Sequence, residues 1–169
     1  FDKENLKREC EALTDKAIEA AKPWVELGVD VIGGGMDDMA GKEGPYLNPR
    51  LYYEFVFPQL KKLADAVHGM GGKILVHSDG DLKPILDGLV DTGIDALHSI
   101  DPSAGMDIGE VKKRYGHKLC LCGNVDCAWT LVNASPEEVA KETRDCIKRA
   151  SPGGGHILCS SNVIHTAVP

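Results

Sequence analysis

Five short apolar runs, at 29–32, 72–77, 94–99, 118–122 and 156–159, alternate with stretches of helical periodicity along the chain. Each run is too short for a core helix, and the intervening segments carry an apolar stripe with charge opposite. A sheet whose strands are joined by helices has parallel strands, and its continuous apolar strands are covered by those helices. The expected fold is therefore α/β, about five parallel strands alternating with helices, a partial (β/α)8 barrel.

Turn and cap chemistry divides the elements. Leu6, Cys10, Leu13, Ala17, Ala20 and Trp24 mark one face of an opening helix over 2–22. Asn48-Pro49 starts a helix that runs to about Gly69, kinked or divided by Pro58. Asp81 reads as the cap of a helix ending before Gly93. Asp107 with Glu110, and Ser135 with Glu138, have capping-box spacing.

Composition narrows the functional classes. The 169 residues suit one domain, and a net charge of −7 disfavours nucleic acid and anionic membrane as partners. No apolar run is long enough to span a bilayer, and the N-terminal stretch lacks the apolar core of a secretion signal. A chain of this size and apolar content needs no disulfides, so Cys10, Cys120, Cys122, Cys127, Cys146 and Cys159 are expected as thiols in a reducing, cytoplasmic compartment. Neither GxGxxG nor GxxxxGK[ST] follows any strand, so nucleotide binding has no positive support. The sequence begins without Met and stops just after a strand, as a piece of a longer protein would.

The polar residues gather at one end of the strands. The first strand runs into Gly33–Gly35, Asp37 and Asp38; the second ends on His77 and Asp79, the third on His98 and Asp101. The fourth ends on Cys122, Asn124 and Asp126, and the fifth on Cys159, Ser160 and Asn162. In a (β/α) barrel these C-terminal ends converge on one mouth. His77 and Cys159 terminate apolar strands, and a neutral imidazole with a thiolate is a zinc-type pair. Asp79 completes a three-ligand set with an open position, or Cys122 takes that place. Asp37 and Asp38 either shape the mouth or cap a glycine loop. His98 is either a site residue or a core histidine bonded to a carbonyl. Cys120 reads as core, and Cys127 and Cys146 as structural.

The acidic loop followed by "NPRLYYEFVFPQLKKL", the strand ending "HSDGD", the turn "CGNVD" and the closing "GGGHILCSSN" resemble the C-terminal part of the uroporphyrinogen decarboxylase superfamily, over nearly the whole chain. That resemblance implies the last five strands of a (β/α)8 barrel whose N-terminal part is absent, so exposed sheet edges should drive self-association. It also implies one of two chemistries. The decarboxylases act on a tetrapyrrole without cofactor, through Asp and Arg of the absent half, and typically close with Gly-His-Gly-Ile; Ser161-Asn162-Val163-Ile164 stands there instead. The corrinoid-dependent methyltransferases bind zinc through His-x-Cys and a distant Cys; His77-Ser78-Asp79 and Cys159 hold those places. With the strand-end residues, the resemblance points to zinc on His77 and Cys159 with Asp79 or Cys122 as third ligand, and Asp37, Asp38 and His98 stand as catalytic candidates. It further implies cobalamin on a partner corrinoid protein and a small methylated substrate. A tetrapyrrole decarboxylase and a non-catalytic tetrapyrrole- or partner-binding module are the alternatives.

Overall fold

The computed structural model describes residues 2–34 and 38–169. The candidate Asp37 lies outside the described residues. Helix α1 (Lys3–Glu26) precedes strand β1 (Val31–Gly34), and a small hairpin, β2 (Ala40–Gly41) with β3 (Gly44–Pro45), follows it. Then come α2 (Pro49–Leu51), α3 (Phe57–Gly69), β4 (Lys73–Ser78), α4 (Leu86–Asp91), β5 (Ala96–Ser99) and α5 (Ile108–Tyr115). The chain continues through β6 (Cys120–Cys122), α6 (Thr130–Asn133), α7 (Pro136–Ala150) and β7 (His156–Ile157).

The five longer-range strands form one parallel sheet in the order β1-β4-β5-β6-β7, as the alternation predicts for part of a (β/α)8 barrel. Its two faces differ. Ile74, Val76, Leu97 and Leu121 are fully buried beneath the helices. Leu75, His77, His98 and Cys120 project from the other, lumenal face and are only half-buried. Alternation along a strand decides this, because adjacent residues point to opposite faces. No described helix is long and apolar enough to cross a membrane.

Several boundaries depart from the sequence reading for identifiable reasons. The face that α1 buries is centred on Thr14 and Ala21, packed with Ala17 and Ile18, whereas Leu13 and Trp24 are exposed. Asp81 does not cap α4: it accepts from the Lys83 N–H at 3.0 Å in a local turn, and the helix opens only at Leu86. Pro84 explains the delay, since it disfavours helical backbone at Lys83. Pro58 divides its helix differently from a kink. The chain widens into a π-turn at Tyr52–Val56 and re-enters α3 with Pro58 in its first turn, where the missing N–H is tolerated. The Asn48, Asp107 and Ser135 caps form as read, the last as a full capping box.

At the opposite end of the sheet from the mouth, Asp95 ties β4 to β5. Its carboxylate accepts from the Ile74 N–H at 2.9 Å and pairs with His68 at 2.7 Å and Lys73 at 3.0 Å. Burial raises its pKa, but these three partners together outweigh burial and hold it below the usual carboxylate range. A depressed carboxyl contributes stability that is complete above its unfolded pKa of about 3.9 and is lost as pH falls through the folded value. Asp95→Ala is expected to destabilise by about 1–3 kcal/mol at pH 7, because the Ile74 N–H is left without its acceptor. Urea titrations at pH 7 and in the acid range should show the variant's deficit shrinking as pH falls; a deficit constant with pH would contradict this role.

Candidate functional site

Register brings the two histidines together. His77 on β4 pairs with His98 on β5, which pairs with Cys122 on β6, so the three form one lumenal row. The imidazoles lie 4.8 Å apart between centroids, and His77 Nδ1 is 2.7 Å from His98 Nδ1. On its far side, His98 Nε2 is 3.0 Å from the Ser160 carbonyl oxygen.

A carbonyl only accepts, so a neutral His98 carries its proton on Nε2 and offers a bare Nδ1. That Nδ1 accepts from His77 Nδ1–H. The lone pair of His77 is therefore on Nε2, which faces Asp38 Oδ1 at 3.6 Å and Asp79 Oδ1 at 3.8 Å. Three acceptors then point at one another, and their ligand atoms all lie within 4.8 Å. Such a group repels itself unless a cation occupies it or the imidazole takes a second proton. Donors about 3.3–3.4 Å apart surround a tetrahedral zinc with bonds of about 2.0–2.1 Å, so the two histidine–carboxylate separations need close by only a few tenths of an ångström.

The carboxylates are held in place by their own donors. Asp79 Oδ1 accepts from Ser99 Oγ at 2.6 Å, and Asn162 Nδ2 donates to Asp79 Oδ2. Asp38 Oδ1 accepts from the Asp79 N–H at 2.8 Å. The segment carrying Asp38 is fastened to the turn after β4: Ser78 Oγ accepts from the Met39 N–H at 2.9 Å, and the Asp81 N–H donates to the Gly41 carbonyl at 2.9 Å. Tyr52, placed by the π-turn, donates its O–H to the Met39 carbonyl at 2.5 Å. Asp101 joins from β5, accepting from the Gly80 N–H at 3.1 Å.

Among the sequence candidates, the structure thus gathers Asp38, His77 and Asp79, with His98 bonded behind His77. Cys122 and Cys159 do not join the group. His98 stands between His77 and Cys122 in the row, and two strand spacings of about 4.8 Å separate the latter pair. Ladder pairing of β7 ends at Ile157, and Cys159 follows with its carbonyl taken by the Val125 N–H at 3.1 Å. Burial, reinforced by Cys120 and Cys159, pushes the Cys122 thiol up to about 12, and burial also raises Cys159. Both are protonated thiols at neutral pH. Cys120, expected in the core, is half-buried on this same lumenal face. Cys127 and Cys146 are buried, as a structural role requires. Asn162 was legible as a strand-end residue of the mouth, whereas Ser99 and Tyr52 carried no sequence signal for a role around Asp79 and Asp38, since their partners lie on other elements.

Comparison with known proteins agrees with this architecture. A methyltransferase from Methanosarcina mazei superposes with a TM-score of 0.73 at 24% identity, over 92% of this chain and 43% of that one, a likeness of fold. Among curated relatives, the uroporphyrinogen decarboxylase of Shewanella loihica is 30% identical over 167 residues, which is 92% of this chain and 43% of that protein. That of Mannheimia succiniciproducens is 27% identical over 136 residues, 75% of this chain and 35% of its own length. The chain accordingly spans less than half the length of the relatives it matches. The uroporphyrinogen decarboxylase (URO-D) family model matches residues 1–169 without a break. Five β/α units with their polar residues at one mouth, and a match over the full sequence, place this chain in the uroporphyrinogen decarboxylase family.

Proposed function

We propose that this chain carries the substrate-activating metal site of a methyltransferase of the family, with the methyl group passing to or from a corrinoid on a partner protein. The observation that supports the reading is His77 Nε2 facing two carboxylate oxygens at 3.6 and 3.8 Å. One imidazole and two carboxylates balance a divalent cation and leave an open position, and these borderline-to-hard donors suit zinc better than a softer ion. Zinc bound there would act as a Lewis acid, lowering the pKa of a thiol acceptor or polarising a methyl ether oxygen. Asp38 and Asp79 fix the charge of the site, and Ser99 with Asn162 keeps Asp79 from rotating away. Cys122, buried two strands away from His77, and Cys159 stay outside this group.

The names of the curated relatives favour a second reading, cofactor-free decarboxylation of a tetrapyrrole. It differs in being insensitive to chelators. Equilibrium dialysis against Zn(II), followed by elemental analysis, separates the two. Stoichiometric zinc is expected in the wild-type protein and in Cys159→Ala, and its loss in His77→Ala. Zinc retained at full occupancy after His77→Ala would sink the metal reading.

A further inference from the structure

We infer that His98 is a positioning residue: it sets the tautomer of His77, and the Ser160 carbonyl in turn sets His98. The three groups form a one-way relay, Ser160 C=O accepting from His98 Nε2–H and His98 Nδ1 accepting from His77 Nδ1–H. Because the carbonyl has no proton to give, a neutral relay cannot run backwards. Without it, His77 is free to carry its proton on Nε2. That proton would point at Asp38 Oδ1 and Asp79 Oδ1, and the mouth would close into a hydrogen-bonded cluster with no lone pair directed at its centre. His98 therefore decides between a cluster satisfied by itself and an open donor set.

The far end of the relay is anchored to backbone. Ser160 forms a parallel bridge with Val125, and the Ser161 N–H donates to the Val125 carbonyl at 2.7 Å. Ser161 Oγ also accepts from the Cys127 N–H at 3.2 Å. The near end is fixed by register, since His77 and His98 are paired rungs. A one-residue slip of either strand would turn its ring to the helix-covered face and part the pair. Both nitrogens of His98 are engaged, which assigns it to orienting a ligand rather than to binding a metal or moving a substrate proton. Groups of this kind, which donate to or accept from a metal-binding histidine's second nitrogen, commonly determine its tautomer and affinity.

The inference rests on the cation reading for its consequence but not for its test. Histidine-15N NMR on the metal-free protein at pH 9, well above the ordinary imidazole pKa of about 6.5, reads the tautomers directly. Wild-type His77 is expected to be protonated on Nδ1 and bare on Nε2, with a coupling across the Nδ1–H···Nδ1 bond to His98. His98→Leu, which offers no acceptor, is expected to move the His77 proton to Nε2 and to weaken Zn(II) binding by about 10–100-fold. His98→Asn, whose amide oxygen stands near the place of Nδ1 and can accept from His77, is expected to restore the wild-type tautomer. A wild-type His77 protonated on Nε2 overturns the inference even where His98→Leu fails to fold, and so does an unchanged tautomer in a folded His98→Leu. Should the tautomers follow expectation while wild-type protein binds no zinc, the relay stands and the proposed metal function falls.

Discussion

Replacing Asp79 with alanine is expected to lower Zn(II) affinity by more than about 100-fold, beyond the range typical of outer-shell changes. One of the three donors facing the centre is then gone. The more informative exchange is Asp79→Cys, which recreates the His-x-Cys spacing of the zinc methyltransferases that the sequence resembles. A thiolate is a softer donor and should move the metal preference from harder divalent ions toward zinc, with a proton released as the metal enters. The surrounding structure, however, is built for a carboxylate. Ser99 Oγ, on a fully buried residue, donates to Oδ1, and Asn162 donates to Oδ2. A single sulfur cannot accept both bonds in those places, so the apo Asp79→Cys protein is expected to lose about 1–3 kcal/mol of stability. Isothermal titration with Zn(II) and Mn(II), alongside denaturant unfolding of the apo protein, measures both effects. Unchanged apo stability would show that Ser99 and Asn162 are incidental neighbours. An unchanged Zn(II)/Mn(II) preference would show that residue 79 is not a ligand.

The strand-end histidine and aspartate were legible because period-two alternation and barrel geometry together aim such residues at one mouth. His77, Asp79 and Asp38 are indeed drawn together. The third partner was not legible from ligand type. Cys159 looked suitable by chemistry, yet where it lies depends on how far β7 stays paired, and that strand ends at Ile157, two residues before it. The tautomer relay was hidden for a related reason: it needs the exact β4–β5 register and the backbone carbonyl of Ser160 beyond β7, and neither leaves a mark in residue type. Local caps fared better wherever the signal was self-contained, as at Ser135. At Asp81 the cap reading failed because Pro84, three residues on, overruled it.

Gly80→Ala is expected to damage both the fold and the site, because this glycine sits where the Asp38 segment meets the turn carrying Asp79. Its backbone has φ +85°, a left-handed conformation that costs an L-residue about 1–2 kcal/mol. A Cβ there would also lie 2.8 Å from the Gly41 nitrogen and press closer still on the Ala40 carbonyl group. Neither neighbour is a side chain that can turn aside, so the hairpin must move. Such movement strains the Asp81 N–H bond to Gly41 and the Asp79 N–H bond to Asp38, two of the links that hold the carboxylates in register. Gly93 provides the control: its φ is +87°, and a Cβ would meet nothing within 4 Å. Gly93→Ala should therefore show the conformational cost alone, about 1–2 kcal/mol, with Zn(II) affinity unchanged. Gly80→Ala should exceed that by about 1–3 kcal/mol, the usual cost of forced overpacking, and should also weaken Zn(II) binding. Equal losses in the two variants would mean that the hairpin adjusts freely and that its seating on the β4 turn does not set the position of Asp38.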